Sequence, residues 1–286
     1  MRDAPISGHT QVFGLIGHPV RHSLSPSMYN ALFARFGIDA VYLAFDVHPD
    51  HAIRVNESIR ILGLVGVNLT VPFKERVLDG LDHMTIAAKE AGAVNVVTNV
   101  DGQLTGYNTD GEGFIRSLKE EKGPQPDGIH AIILGAGGAG RAVASALLDH
   151  GAQRITIMNR TLLRAQEAAK ALNSSIGDTR VDAAELTAQS FSVVAKDAGL
   201  VVNCTSGPAH ETINSLDPEV LSKDASWVDI NYWMEHPPAV ESCRSAGIRF
   251  HTGLGMLAHQ GALAFELFTG YPVTGAEIRT FLLEKG

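Results

Sequence analysis

Two ionisable side chains, each placed where an apolar run gives way to a polar one, carry the first chemical hint in this chain. Lys74 closes Asn68-Leu69-Thr70-Val71-Pro72-Phe73-Lys74, and Asp110 closes Gly106-Tyr107-Asn108-Thr109-Asp110. If a helix starts at Pro72, Lys74 lies in its first turn, where the helix dipole disfavours a cation and lowers the lysine toward the range in which it trades protons. Asp110 is in the mirror situation. Thr109 and Glu112 make a capping-box pattern, and a negative charge at a helix start is favoured, so the carboxylate stays ionised. An ionised neighbour would push the lysine back up. Taken singly, one suits a surface lysine and the other a helix-start carboxylate; taken together, they point to proton chemistry.

A nucleotide-binding pattern says what that chemistry accompanies. Gly135-Ala136-Gly137-Gly138-Ala139-Gly140 satisfies G-x-G-x-x-G directly after the apolar run Ala131 to Leu134, and it opens a helical stretch that ends at Gly151. The glycines allow a tight turn at Gly135 and close approach of pyrophosphate at Gly137, with helix N-terminal amides aimed at the phosphates. The next strand, Arg154 to Met158, ends in Asn159-Arg160-Thr161 with Arg164 close behind, not in an acidic residue. A carboxylate there would bind a free ribose 2'-hydroxyl, whereas arginine holds a 2'-phosphate bidentately, so NADP is favoured over NAD.

Further polar groups accompany these. Ser25 before Pro26 fits an N-cap followed by a first-turn proline, which leaves Ser23 without a structural role. Asn68, Thr70 and Asn95 interrupt apolar strands, and Gln260 lies beside the apolar stripe of its helix. Each suits a satisfied structural polar group; together they offer hydroxyls and amides to a small polyhydroxylated ligand.

The elements that position these residues form an α/β protein of two domains. From Val12 to Thr70, apolar runs at Val12–Ile16, Val41–Val47 and Leu64–Thr70 alternate with helical stretches, as in a largely parallel sheet. Asp101-Gly102 between Val94–Val100 and Leu104–Tyr107 predicts a hairpin, hence a mixed sheet. After the loop at 123–128, strands near 131–134, 154–158, 199–203 and 226–230 alternate with helices in the doubly wound manner. Two C-terminal helices follow, the second with a capping box at Thr274 and Glu277.

Composition narrows the function classes. The 286 residues are 45% hydrophobic and 19% charged, which is enough to bury a sizeable core. A net charge of -8 gives no general reason to bind nucleic acid or an anionic membrane. Cys204 and Cys243 have neither metal-ligand nor disulfide-framework spacing and stay reduced. The first eleven residues lack the apolar core of a signal peptide, and no run reaches the ~18 apolar residues of a membrane span. These features predict a soluble cytoplasmic protein that binds small molecules and no metal. An edge strand in the first domain leaves a homodimer open.

The segments HSLSP at 22–26, NLTVPFK at 68–74, GAVN at 92–95, GYNTD at 106–110, GAGGAG at 135–140, NRT at 159–161 and GLGM at 253–256 through QGA at 260–262 resemble those of the shikimate dehydrogenases, in the family's order and over nearly the whole chain. The resemblance implies NADPH-dependent reduction of 3-dehydroshikimate to shikimate. It also implies a substrate domain (1–109 and 253–286) facing a Rossmann domain (110–252) across a cleft. On the same basis Ser23 and Ser25 hold the substrate carboxylate, Thr70, Asn95 and Gln260 bind its hydroxyls, Tyr232 lies at the cleft, and Lys74 and Asp110 are the catalytic pair. The cofactor would meet Gly135, Ala136, Gly137, Gly138, Ala139, Asn159, Arg160, Thr161, Arg164 and Thr205, with Ile230 and Gly253 near the nicotinamide. Departures from the family pattern at Trp233-Met234, Pro237 and Gly207-Pro208 bear on the nicotinamide-side loops, not on the reaction class.

The mechanism so implied has hydride reaching the C3 ketone while Lys74 protonates or stabilises the alkoxide, Asp110 orients the lysine, and domain closure excludes water. Two alternatives stand beside it. A quinate/shikimate dehydrogenase using NAD or NADP is disfavoured by Ser25, where quinate-preferring relatives tend to carry threonine, and by the lack of an acidic residue at 159. A catalytically silent sensor of the same fold is disfavoured because both Lys74 and Asp110 are present.

Overall fold

The apolar run after Gln11 builds β1 (Gln11–Gly17), and the helix expected after Pro26 forms as α1 (Ser25–Phe36), stopped where Gly37 turns left-handed. In this computed structural model, which describes residues 6–205, 209–234 and 236–285, the chain divides into two units. One runs to Thr109 and resumes at Ala258; the other is Asp110–Leu257.

The first unit continues with β2 (Ala40–Asp46), α2 (Val55–Ile61), β3 (Gly66–Leu69), β4 (His83–Met84), α3 (Ile86–Ala91), β5 (Val96–Val100) and β6 (Gln103–Tyr107). Its sheet runs β2-β1-β3-β5-β6-β4. β1 lies parallel to β2 and β3, and β5 is antiparallel to β3 and β6, so the sheet is mixed. Asp101 and Gly102 both take positive φ in the two-residue turn of the hairpin. The two-residue β4 is too short to leave a sequence pattern.

No helix begins at Pro72. Residues 71–77 make successive turns, with the Phe73 N–H bonded to the Thr70 carbonyl (2.8 Å) and the Arg76 N–H to the Phe73 carbonyl (2.9 Å). The Lys74 carbonyl, which a helix would offer to residue 78, accepts instead from the Val94 N–H at 2.8 Å. A tertiary bond has replaced the local one, and the dipole argument for Lys74 loses its basis.

The second unit comprises α4 (Asp110–Glu120), β7 (His130–Leu134), α5 (Gly138–Asp149), β8 (Arg154–Asn159), α6 (Leu162–Ile176), β9 (Val181–Glu185), α7 (Ala188–Val194), β10 (Leu200–Asn203), α8 (His210–Asn214), β11 (Ser226–Asp229), α9 (Val240–Ala246) and β12 (Arg249–Thr252). The sheet order is β12-β11-β10-β7-β8-β9, every pair parallel. This is a doubly wound Rossmann sheet whose order reverses between β7 and β10. Both faces are covered, since Ile133, Ile157 and Val202 enter one core while Ile132, Leu134 and Trp227 enter another.

α10 (Leu254–Thr269) opens in the second unit and continues in the first, where α11 (Gly275–Lys285) follows. Aromatic packing fixes that return. Phe268 lies 5.3 Å from Phe13 and Phe265 lies 5.9 Å from Phe33, ring centre to ring centre. Phe265 is fully buried there, which is worth roughly 1.5–3 kcal/mol, and Phe268 is partly buried. The expected capping box forms at α11: the Glu277 carboxylate accepts from the Thr274 N–H (2.9 Å), and Thr274 Oγ1 accepts from the Glu277 N–H (3.2 Å).

Candidate active site

In the first unit the chemistry-bearing residues collect at one end of the sheet. Ser23 and Ser25 follow β1, Thr70 follows β3, Asn95 precedes the antiparallel β5, and Thr109 follows β6. Lys74, half-buried, is pinned to this end through its bond from Val94.

Asn95 organises the group. Its Oδ1 accepts from the Thr109 N–H at 2.8 Å, and its Nδ2 donates to Thr109 Oγ1 at 2.9 Å and to Gln260 Oε1 at 3.4 Å. Thr109 Oγ1 in turn donates to the Gln260 carbonyl at 3.2 Å. The capping box expected between Thr109 and Glu112 does not form, because Asn95 takes Thr109 and Glu112 pairs with Arg116 (2.7 Å). A second chain of bonds runs behind this one. Tyr42 Oη donates to Asn68 Oδ1 at 2.7 Å, and Asn68 Nδ2 donates to the Asn95 carbonyl at 3.3 Å. Tyr29, stacked on Tyr42 at 4.4 Å, donates to the Gly261 carbonyl, and burial drives its phenol well above its ordinary value.

The two serines exchange the roles expected of them. Ser23 Oγ accepts from the Ser25 N–H at 3.2 Å, so Ser23 serves the helix start. Ser25 is the first residue of α1, nearly buried, and its hydroxyl has no hydrogen bond among the described residues. The unexplained hydroxyl is therefore that of Ser25.

In the second unit the corresponding residues lie at the carboxyl ends of the parallel strands, where ligands of such sheets bind. Asp110, buried, opens α4. Gly135 follows β7 with φ of 109°, which L side chains rarely adopt. A side chain at Gly140 would run into the Gly135 carbonyl, and one at Gly135 would lie 3.1 Å from the Cys204 carbonyl. The turn is thus bare backbone leading to the N-terminus of α5, a cradle that fits pyrophosphate. Gly138 and Ala139 form the first turn of that helix. Asn159 links the two halves of the nucleotide region: its Oδ1 accepts from the Ala136 N–H (3.4 Å) and its Nδ2 donates to the Thr161 carbonyl (3.0 Å). Arg160 and Arg164 are exposed beside it, the latter in the first turn of α6.

A polar network that the sequence reading missed lies under β10 and β11. Asp229, fully buried, accepts from Asn203 and Asn231, and these two amides bond to Thr205. Burial pushes the Asp229 carboxyl up, against the bonds from Asn231 and Asn203 that pull it down. The only sequence signal was a polar residue ending each of two apolar strands. Next to this network, Ile230 and Gly253 meet backbone to backbone, and any side chain at 253 would strike Ile230. Tyr232 meets Trp233 edge-on at 5.1 Å, and Trp233 is half exposed. Gly207-Pro208 lie outside the described residues. Among the described residues, no cluster of His, Cys, Asp or Glu could hold a metal ion, and no helix is long and apolar enough to cross a membrane.

Comparison with known proteins gives this arrangement its relatives. The family model for the shikimate dehydrogenase substrate binding domain matches residues 15–97, and that for the shikimate 5'-dehydrogenase C-terminal domain matches residues 253–272. Between them, the model for the saccharopine dehydrogenase NADP binding domain matches residues 131–248. The shikimate dehydrogenase (NADP(+)) of Methanopyrus kandleri is 41% identical over 98% of this chain and 97% of its own length. Shikimate 5-dehydrogenase from Thermus thermophilus, solved in complex with NADP(H) and shikimate, is 36% identical with a TM-score of 0.80, covering 94% of this chain and 97% of that one. Quinate dehydrogenase from Corynebacterium glutamicum, solved in complex with NAD, is 30% identical with a TM-score of 0.82, covering 96% and 99%. With likeness of this degree along nearly its whole length, the chain belongs to the shikimate dehydrogenase family.

Proposed function

We infer that this chain is an NADP-dependent shikimate dehydrogenase, an oxidoreductase that interconverts 3-dehydroshikimate and shikimate on the route to chorismate and the aromatic amino acids. The observation that carries this reading is the full-length likeness to a shikimate dehydrogenase (NADP(+)). The residues present fit the cofactor. The bare glycine turn suits the pyrophosphate, and Arg160 with Arg164, in place of an acidic residue after β8, suits a 2'-phosphate. When bound, NADPH supplies the hydride that goes to the C3 ketone.

The residue roles follow as part of the same proposal, with residues 1–109 and 253–286 as the substrate domain and 110–252 as the NADP domain. Ser25, whose hydroxyl has no other bond among the described residues, and Ser23 hold the substrate carboxylate; Thr70, Asn95 and Gln260 bind its hydroxyls, with Tyr232 alongside. Lys74 gives a proton to the alkoxide oxygen at C3, or holds its charge, and Asp110 orients the lysine and accepts from a substrate hydroxyl. Gly135 to Ala139, Asn159, Arg160, Thr161, Arg164 and Thr205 hold the nucleotide, and Ile230 and Gly253 flank the nicotinamide. The reading carries a cytoplasmic location and leaves a homodimer open.

Likeness to a quinate dehydrogenase bound to NAD favours a second reading, a quinate/shikimate dehydrogenase of broader cofactor use. Initial rates with shikimate or quinate, each with NADP+ or NAD+, decide the matter. The first reading expects shikimate with NADP+ to give the highest kcat/KM; faster quinate oxidation with NAD+ would replace it by the second. No turnover with any pair would overturn both and leave a silent sensor.

A further inference from the structure

We propose that Asp229 is a positioning residue of the cofactor site, setting Thr205 through the side-chain amides of Asn203 and Asn231 and the chain around Ile230 through the Asn231 N–H. The proposal rests on the reading that Thr205 and Ile230 meet NADPH. Asp229 itself is fully buried. Its carboxylate accepts on both oxygens: Oδ2 from Asn203 Nδ2 at 2.7 Å, and Oδ1 from the Asn231 N–H at 2.9 Å and from Asn231 Nδ2 at 2.7 Å.

With the Asn203 amide nitrogen committed to Asp229, its oxygen faces Thr205. There Oδ1 accepts from the Thr205 N–H at 3.1 Å and from Thr205 Oγ1 at 2.7 Å. Asn231 Nδ2 also donates to the Thr205 carbonyl at 3.1 Å. Thr205 is thereby held at its N–H, hydroxyl and carbonyl, all through one buried acid. The same strand ends are joined by the Ile230 N–H bonding to the Asn203 carbonyl at 3.1 Å. Thr205 also bounds the glycine turn, since its nitrogen lies 3.2 Å from where a Gly135 side chain would start. An error in Thr205 would therefore reach the pyrophosphate cradle.

The network has a direction, and only an acceptor can stand at its root. Every group facing Asp229 within it is a donor. Asp229→Asn keeps the shape but turns an NH2 toward either the Asn203 amide nitrogen or the two Asn231 donors. Flipping Asn203 to repair this would aim its NH2 at the Thr205 N–H, so the conflict passes outward to the cofactor-facing backbone. The double exchange Asn203→Asp with Asp229→Asn restores every polarity. The acid at 203 accepts from Thr205 and from the new amide at 229, whose oxygen accepts from Asn231. One carboxylate stays buried in both proteins.

The test is NADPH affinity by fluorescence titration, with steady-state shikimate kinetics in parallel. Asp229→Asn is expected to weaken NADPH binding by about tenfold or more, the consequence of one buried mismatch, while the KM for shikimate stays within about twofold. The double exchange is expected to bring NADPH affinity back to within about threefold of the starting protein. A purely structural role predicts lowered thermal stability in D229N with unchanged NADPH affinity, and that result overturns the proposal, as does a double exchange that stays as weak as the single. Should D229N not fold, the double exchange decides: folded with restored affinity supports the proposal, and anything else overturns it. Absence of shikimate turnover in the unaltered protein overturns the proposed function instead, and leaves the affinity comparison standing.

Discussion

Among the described residues, the polar side chains buried in the first unit are Ser25, Asn56, Asn68, Asn95 and Thr109, amides and hydroxyls whose charge does not change near neutral pH, whereas the second unit buries, besides neutral groups such as Thr156, Asn203 and Asn231, the ionisable Asp110, His130 and Asp229. A neutral amide offers donor and acceptor together, so the Asn68–Asn95–Thr109 chain satisfies itself at low desolvation cost. A buried carboxylate or imidazole is different. It must be held by a directional set of partners, and for His130 and Asp229 burial ties protonation to folding. On the proposed function, the buried side chains behind the first unit's site are ones that pH leaves alone. In the second, the backbone around Thr205 is held through the buried carboxylate of Asp229.

Separate readouts therefore belong to the two units, and Lys74 offers the largest. As a residue of the first unit, Lys74→Ala should lower kcat by about a thousandfold, within the usual range for a general acid, and leave the KM for NADPH within about threefold. Steady-state kinetics in both substrates check this. A variant that raised only the KM for NADPH would break the division. Lys74→Arg sharpens it further, since the guanidinium keeps the charge but holds its proton. Partial recovery of kcat would mark the role as electrostatic and no recovery would mark it as proton donation.

The second unit is probed by Arg160→Ala combined with Arg164→Ala. Loss of charge-assisted bonds to a 2'-phosphate should raise the KM for NADP+ by about a hundredfold while the KM for NAD+ stays within about twofold. The kcat at saturating NADP+ should hold. Equal losses for the two cofactors would show that neither arginine reads the 2'-phosphate.

How far these sites were legible in the sequence depended on whether local chemistry or distant partners decided the outcome. The glycine turn was readable because its work is done by its own backbone, and the hairpin at Asp101-Gly102 because two adjacent residues determine it. The edge strands β9 and β12 escaped notice: both are short and only partly buried, without a clear apolar signal. The helix expected at Pro72 failed because the Val94 N–H, twenty residues away, takes the Lys74 carbonyl. The capping box at Thr109 failed for the same kind of reason, with Asn95 outcompeting Glu112. Asn203 and Asp229 are 26 positions apart and become partners only through the parallel pairing of β10 with β11. A sequence shows the polar residues; the sheet decides which of them meet.

Ser25 gives a smaller but cleaner test of the first unit. Its hydroxyl makes no bond within the described protein, so Ser25→Ala removes nothing the fold uses. The expected result is a rise of about tenfold in the KM for shikimate, typical of a lost hydrogen bond to a carboxylate, with Tm unchanged to within about 1 °C. Ser23→Ala should differ by lowering Tm as well, since it deprives the Ser25 N–H of its acceptor. If Ser25→Ala left the KM for shikimate unmoved, the carboxylate site would have to lie elsewhere.

The smallest effect concerns pH, and it tests the titrating interior of the second unit directly. His130 is buried, with Nδ1 2.9 Å from Asp197 Oδ1 and Nε2 2.9 Å from Thr156 Oγ1. Burial pushes the imidazole below its ordinary value of 6.5, and Asp197 only partly opposes this. The unfolded chain therefore takes up the proton first. Above about pH 6.5 the contribution to stability is fully present, and it is lost as pH falls from there through the lowered folded value. Both tryptophans, Trp227 and Trp233, belong to the second unit, so tryptophan emission follows that unit's unfolding alone. Between pH 7.5 and 5.5, the Tm read this way should fall more in the unaltered protein than in His130→Gln, by on the order of 2 °C. The first unit, whose buried polar groups do not titrate in that range, should show no such difference by near-ultraviolet tyrosine signals recorded with Tyr232 replaced by Phe, since the remaining Tyr29, Tyr42, Tyr107 and Tyr271 all lie in that unit. Parallel pH curves for the two proteins would mean that the imidazole keeps its proton balance on folding, and the contrast between the two interiors would then rest on Asp229 alone.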